Sequence, residues 1–143
     1  MSACFACGRI AAIRQGKDPA FLAELSESYA VLSDARGYAG WSVLLLKDHE
    51  EHLDLLPLAR QERLARDLAR MAAAVRAAFR PRRLNYECLG NVQPHVHWHV
   101  IPRHGDDPQP DAAVWVRPAA EREARVSDAE RDERVGRLRE ALG

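Results

Sequence analysis

His95-Val-His97-Trp-His99-Val-Ile101 is the stretch that decides how this sequence is read. Imidazole and apolar side chains alternate through it, and successive side chains of a β-strand point to opposite faces. The three imidazoles therefore share one face, while Val96, Trp98 and Val100 share the other and enter the core. A slip of one residue would reverse both faces, so burying the apolar set commits the histidines to a common surface. The chain holds six histidines, and three of them fall within the five positions 95–99.

A histidine cluster admits several chemistries. A three-histidine metal site is one, but strand geometry opposes it. Adjacent members sit about 6.6 Å apart and the outer two about 13 Å, whereas a metal takes imidazole nitrogens at about 2 Å. Convergence on one ion would need a bent strand. Polar surface filling is a second reading, though period-two placement opposite a Val-Trp-Val face is an unusual accident. Catalysis is the third. A neutral imidazole is nucleophilic near neutral pH and can accept a phosphoryl or nucleotidyl group. Neighbouring imidazoles and backbone N–H groups can then donate to the phosphate oxygens.

Outward from this strand, Leu84, Tyr86 and Cys88 alternate with Asn85, Glu87 and Leu89, a strand ending at Gly90. Before it, Leu64, Leu68, Met71, Val75 and Phe79 recur at helical spacing, predicting a helix over 58–79 bracketed by Pro57 and Pro81. Glu62 with Arg66 and Arg63 with Asp67 are expected to pair on its solvated side. Trp41 to Leu46 reads as a buried strand, and 21–34 as two short strands around a Ser-Glu-Ser turn. Residues 1–20 and 103–113 read as loop. Ser127 to Glu130 forms a capping-box pattern opening a charged helix to Leu142. The sum is an α+β fold with a mostly antiparallel sheet.

Composition narrows the function classes. With 143 residues, 47% hydrophobic and 29% charged, the chain is one soluble domain's worth. Lys plus Arg and Asp plus Glu both count 21, and this zero net charge argues against gripping a nucleic-acid polymer. The sequence shows no apolar run long enough for a membrane span and no secretory signal pattern. Three cysteines are too few for a disulfide scaffold, so a cytoplasmic location is expected.

The histidine strand, His95-Val-His97-Trp-His99-Val-Ile101 followed by Pro102-Arg103, resembles the motif of the histidine triad (HIT) family, with the wording of a bacterial, diadenosine-polyphosphate-hydrolase-like branch. Asn85 on the preceding strand, Gly90-Asn91 in the connection and Leu44-Leu-Leu-Lys47-Asp-His49 agree with it. The likeness covers roughly 4–104, leaving 105–143 as a C-terminal loop and helix of a single domain spanning 1–143. It implies a sheet of about five strands with one long helix and a C-terminal helix. It also implies a nucleotide hydrolase or transferase that cleaves dinucleoside polyphosphates or nucleoside phosphoramidates through a nucleotidyl-histidine intermediate. His97 falls at the nucleophile, His99 at a phosphate contact, Asn85 at a polar contact to the nucleotide and Asn91 near the leaving group. Asp34 is a candidate ribose contact. Asn91 is one methylene shorter than the family's usual Gln, and Ala39-Gly40-Trp41 stands where the family usually carries an auxiliary histidine. A non-catalytic nucleotide sensor, or a hydrolase using metal-bound water, are the rival readings. The resemblance further implies a homodimer pairing through the long helix and an adjacent strand.

Cys4-Phe-Ala-Cys7 has the spacing that lets two thiolates share one tetrahedral ion. The resemblance completes that site with His49 and His95 as ligands to a structural zinc. Cys88 is expected in the core, and His52 and His104 in solvent.

Overall fold

The computed structural model describes residues 3–143. Five strands form one sheet: β1 (Phe21–Glu24), β2 (Ser28–Leu32), β3 (Ser42–Leu46), β4 (Arg83–Glu87) and β5 (His97–Arg103). Their order is β1-β2-β3-β5-β4, with every neighbouring pair antiparallel. The last strand in sequence thus inserts between β3 and β4, which puts the histidines inside the sheet and leaves β4 at its edge. This is the α+β architecture expected from the sequence.

Alternation assigns the two faces. Ala30, Leu32, Leu44 and Val100 point to one side, where α2 (Leu58–Phe79) and α4 (Asp128–Leu142) cover them with Met71, Val75, Val135 and Leu138. Tyr29, Val31 and Leu45 point to the other, against Ala6, Ile10 and Ile13 of α1 (Phe5–Arg14). Farther along that second face, Ile101 packs with Ala35, Tyr38, Trp41 and Val114. Between these two covered patches lie His97 and His99.

Several expectations change. The N-terminal stretch read as loop is helical across Phe5–Arg14, while residues 1 and 2 lie outside the described residues. The strand expected over 95–101 runs His97–Arg103 instead, so His95 precedes the ladder. It is fully buried rather than on a shared outer surface. Neither expected ion pair forms on α2. Arg63 reaches Glu27 at 2.7 Å, and Asp67 is buried. The Asp67 carboxylate accepts from the Ser26 and Glu27 amides and the Ser28 hydroxyl at 3.1, 2.8 and 2.8 Å, clamping the β1–β2 turn. At α4 only half of the capping box forms. Ser127 Oγ accepts from the Glu130 amide at 3.2 Å, but the Glu130 carboxylate turns to Arg134. Past the expected loop, a 3-10 turn (Val114–Val116) and a short helix α3 (Ala119–Arg122) fold back toward the histidine face. An isolated bridge between Ala35 and Arg125 fastens that segment.

Candidate functional site

β5 carries the chemistry because its ladder fixes where each imidazole points. His97 pairs with Leu45 and His99 with Val43 on β3, and Glu87 of β4 lies directly opposite His99. Cross-strand partners share a face, so His97, His99 and Glu87 stand together. The His97 and His99 rings meet edge to face, with centroids 5.0 Å apart.

Hydrogen bonds decide what each ring presents. His97 Nδ1 lies 2.6 Å from the His95 carbonyl oxygen. A carbonyl only accepts, so Nδ1 carries the proton and Nε2 keeps its lone pair. His99 has the opposite tautomer. The Trp41 indole N–H donates to His99 Nδ1 at 3.1 Å, which leaves the proton on Nε2. Among the described residues no buried side-chain nitrogen or oxygen lacks a partner. Neither Nε2 has a partner, so both open toward solvent. Burial, together with the charge His97 would carry, lowers the His99 value to about 4. This ring stays neutral across the physiological range.

Asn85 sits two positions along β4 from Glu87, and its side-chain oxygen accepts from Arg103 Nη1 at 2.9 Å. Asn91 is exposed in the connection between β4 and β5. Asp34 lines a cavity of about 200 Å³ with Ser33, Trp41, Trp115, Arg122 and Arg125, and Arg125 pairs with it at 3.2 Å. His52 is exposed as expected. His104 is not simply in solvent, because its Nε2 lies 2.9 Å from the Ala39 carbonyl oxygen and holds the turn ahead of Trp41. Cys88 is half-buried against the Leu46–Val96 cluster, and burial raises its thiol.

Two residues of this site escape the sequence reading. Trp115 stands 5.5 Å from the His99 ring and 5.8 Å from Trp41, and its indole N–H donates to the Glu87 carboxylate. Glu87 had a readable signal, since it alternates in phase with Asn85. Trp115 had none, because its place depends on how the C-terminal segment folds back.

The second constellation lies at the N-terminus. One ligand atom from each of Cys4, Cys7, His49 and His95 falls within 4.8 Å of the others. Cys4 Sγ to His95 Nδ1 is 3.4 Å, Cys7 Sγ to His49 Nδ1 is 3.5 Å and Cys7 Sγ to His95 Nδ1 is 3.6 Å. Metal–sulfur bonds of about 2.3 Å and metal–nitrogen bonds of about 2.0 Å give tetrahedron edges of about 3.5 Å. The donor set therefore fits a tetrahedral ion such as zinc. Ring orientation agrees, because His95 Nε2–H donates to the Leu46 carbonyl at 2.8 Å and so turns a bare Nδ1 toward the thiols. Cys4 also caps α1 by accepting from the Cys7 amide. Burial raises its thiol, but the Cys7 amide, the Cys7 side chain and His49 outweigh this and leave it below the ordinary value.

A five-stranded antiparallel sheet with alternating imidazoles on its half-open face defines the histidine triad class. The chain belongs to the HIT domain family, whose model matches residues 15–106. Members of this family bind nucleotides and are commonly nucleotide hydrolases or transferases. The fold is similar to a histidine triad protein from Sinorhizobium meliloti at 22% identity and TM-score 0.76, covering 90% of this chain and 93% of that one. A histidine triad protein from Marinobacter aquaeolei also gives 22% identity and TM-score 0.76, over 94% and 93% of the two chains. A zinc-bound histidine triad family protein from Mycobacterium smegmatis gives 22% identity and TM-score 0.69, over 98% and 95%. No curated protein sequence matches the chain.

Proposed function

We propose that this protein cleaves dinucleoside polyphosphates or nucleoside phosphoramidates at the α-phosphate through a nucleotidyl-His97 intermediate. The observation that carries the reading is the 2.6 Å contact of His97 Nδ1 with the His95 carbonyl, which leaves Nε2 free to attack. A nitrogen–phosphorus bond forms at Nε2 as the bond to the leaving group breaks, and the leaving group takes the electron pair. Positive charge growing on the imidazole strengthens its Nδ1–H bond to the carbonyl. The Nε2–H of His99 donates to a phosphate oxygen, and Asn91 lies on the leaving-group side. Water then hydrolyses the nitrogen–phosphorus bond, releasing nucleoside monophosphate and restoring the imidazole. The cavity beside Asp34 receives the nucleoside end.

The whole chain acts as one histidine triad domain over 1–143, since segment 107–126 completes the cavity. Zinc at Cys4, Cys7, His49 and His95 would be structural. Four protein ligands leave no open position for a reactive water, which disfavours the metal-hydroxide reading. Unpaired thiols at Cys4, Cys7 and Cys88 agree with a reducing, cytoplasmic compartment. β4 leaves an open sheet edge flanked by exposed Tyr86, Leu89 and Val92, which supports pairing with a second copy as a homodimer.

The test is incubation with a nucleoside phosphoramidate or a dinucleoside polyphosphate, followed by quantitation of nucleoside monophosphate. Turnover should fall at least about 10³-fold in His97→Asn while nucleotide affinity is retained. Tight binding without product in the unaltered protein would favour a sensor instead, and full activity in the variant would remove His97 from the chemistry.

A further inference from the structure

Trp41 does more than fill space. It is 5% exposed, and its ring is held from two sides by Tyr38 at 5.6 Å and Trp115 at 5.8 Å. Its backbone is fixed as well. The Trp41 amide donates to the Tyr38 carbonyl at 2.9 Å, and its carbonyl accepts from the Ser33 amide at 2.8 Å. The preceding Gly40 has φ +94, and a Cβ there would come within 2.6 Å of the Phe79 ring. A glycine is thus required for the backbone to pass Phe79 and turn the indole toward β5. The result is an N–H aimed at His99 Nδ1 at 3.1 Å from a side chain with no freedom to turn away.

We propose that Trp41 is a positioning residue that acts through His99, holding that imidazole in the tautomer whose Nε2–H faces the phosphate. The proposal rests on the reading of His99 as a phosphate donor. An indole donates and never accepts, and it carries no charge at any pH. Its partner nitrogen must therefore be bare, and the single proton of the neutral ring is sent to Nε2. In the other tautomer Nε2 would present a lone pair to an anionic phosphate and repel it. A histidine in place of Trp41 would lack this property, because either of its nitrogens can be donor or acceptor. The charged groups around His99 do not compete for Nδ1. His97 approaches edge to face, Glu87 is taken by Trp115, and Asp34, Arg122, Glu123 and Arg125 line the cavity beyond.

The experiment is a long-range ¹H–¹⁵N correlation spectrum of the histidine side chains of the unaltered protein, repeated on Trp41→Phe. The unaltered protein should show His99 with a protonated Nε2 and a bare Nδ1. Trp41→Phe keeps an aromatic ring and removes one hydrogen bond, so the tautomer ratio should move about fivefold toward protonated Nδ1. In the same variant kcat should fall, by at most that factor, with KM little changed. A bare Nε2 on His99 in the unaltered protein overturns the proposal, with or without a foldable variant. So does an unmoved tautomer ratio in folded Trp41→Phe. The spectrum needs no substrate. With the stated tautomer but no turnover, the positioning stands and the nucleotide reading falls; with turnover but the wrong tautomer, the positioning alone falls.

Discussion

His97 and His99 are two residues apart on one strand, yet their hydrogen bonds send the proton to opposite nitrogens. One ring offers a lone pair and the other a donor, the division of labour that attack on phosphorus needs. His99 also leaves a thermodynamic signature. Its ordinary value is 6.5, and burial, followed by the effect of His97, lowers it to about 4. Between those values the unfolded chain binds a proton that the folded chain refuses. Its contribution to stability is therefore complete above about pH 6.5 and is lost as pH falls through about 4. At 1.36 kcal/mol per unit the loss reaches up to about 3 kcal/mol. Urea unfolding between pH 7.5 and 4.5 should show the unaltered protein losing stability more steeply than His99→Asn, and parallel curves would contradict the assignment. The identity of both histidines was legible from period-two alternation. Their tautomers were not, because the Trp41 donor that fixes His99 comes from 58 positions away and reads in the sequence only as a missing histidine.

At the scale of elements, α2 was legible to its termini because a long apolar stripe between two prolines leaves one solution. Asp67 on that helix was misread, since a buried carboxylate that clamps a turn has the same spacing as a surface ion pair. α1 was missed altogether. Its buried positions Ala6, Ile10 and Ile13 do follow helical spacing, but the helix is short and begins on a cysteine rather than a usual capping residue. It is anchored at its start by the cluster of Cys4, Cys7, His49 and His95. Zinc there would tie the N-terminus to the segment just ahead of β5, contributing folding stability and fixing His95, whose carbonyl accepts from His97 Nδ1–H. Metal analysis should find about one zinc per chain. Cys7→Ser should lose it and lower the melting temperature by about 5 °C or more, with the loss of stability exceeding any loss of turnover in the protein that remains folded. A metal-free purified protein whose melting temperature ignores both zinc and chelator would contradict the clip.

Across the whole molecule, the two sheet faces divide the work. α2 and α4 bury one face, and no helix among the described residues is long and apolar enough to cross a membrane. The other face is only partly covered: His97 and His99 lie between its two covered patches, and the cavity beside Asp34 adjoins His99 through Trp41 and Trp115. The antiparallel α+β fold followed from the alternation around β5 together with one long helix. The cavity did not, because half of its wall comes from Trp115, Arg122, Glu123 and Arg125, beyond the matched family region that ends at 106. Their segment carries no periodicity, and only tertiary contacts such as the Ala35–Arg125 bridge place it. All of these parts serve one claim, that Nε2 of His97 takes the nucleotide. The most direct measurement is the mass of the protein quenched during turnover of a nucleoside phosphoramidate, with the adduct located by peptide fragmentation. A nucleoside monophosphate adduct on His97 that is absent from His97→Asn is the predicted result. Steady product release with no adduct on His97, or an adduct on another residue, would contradict the account.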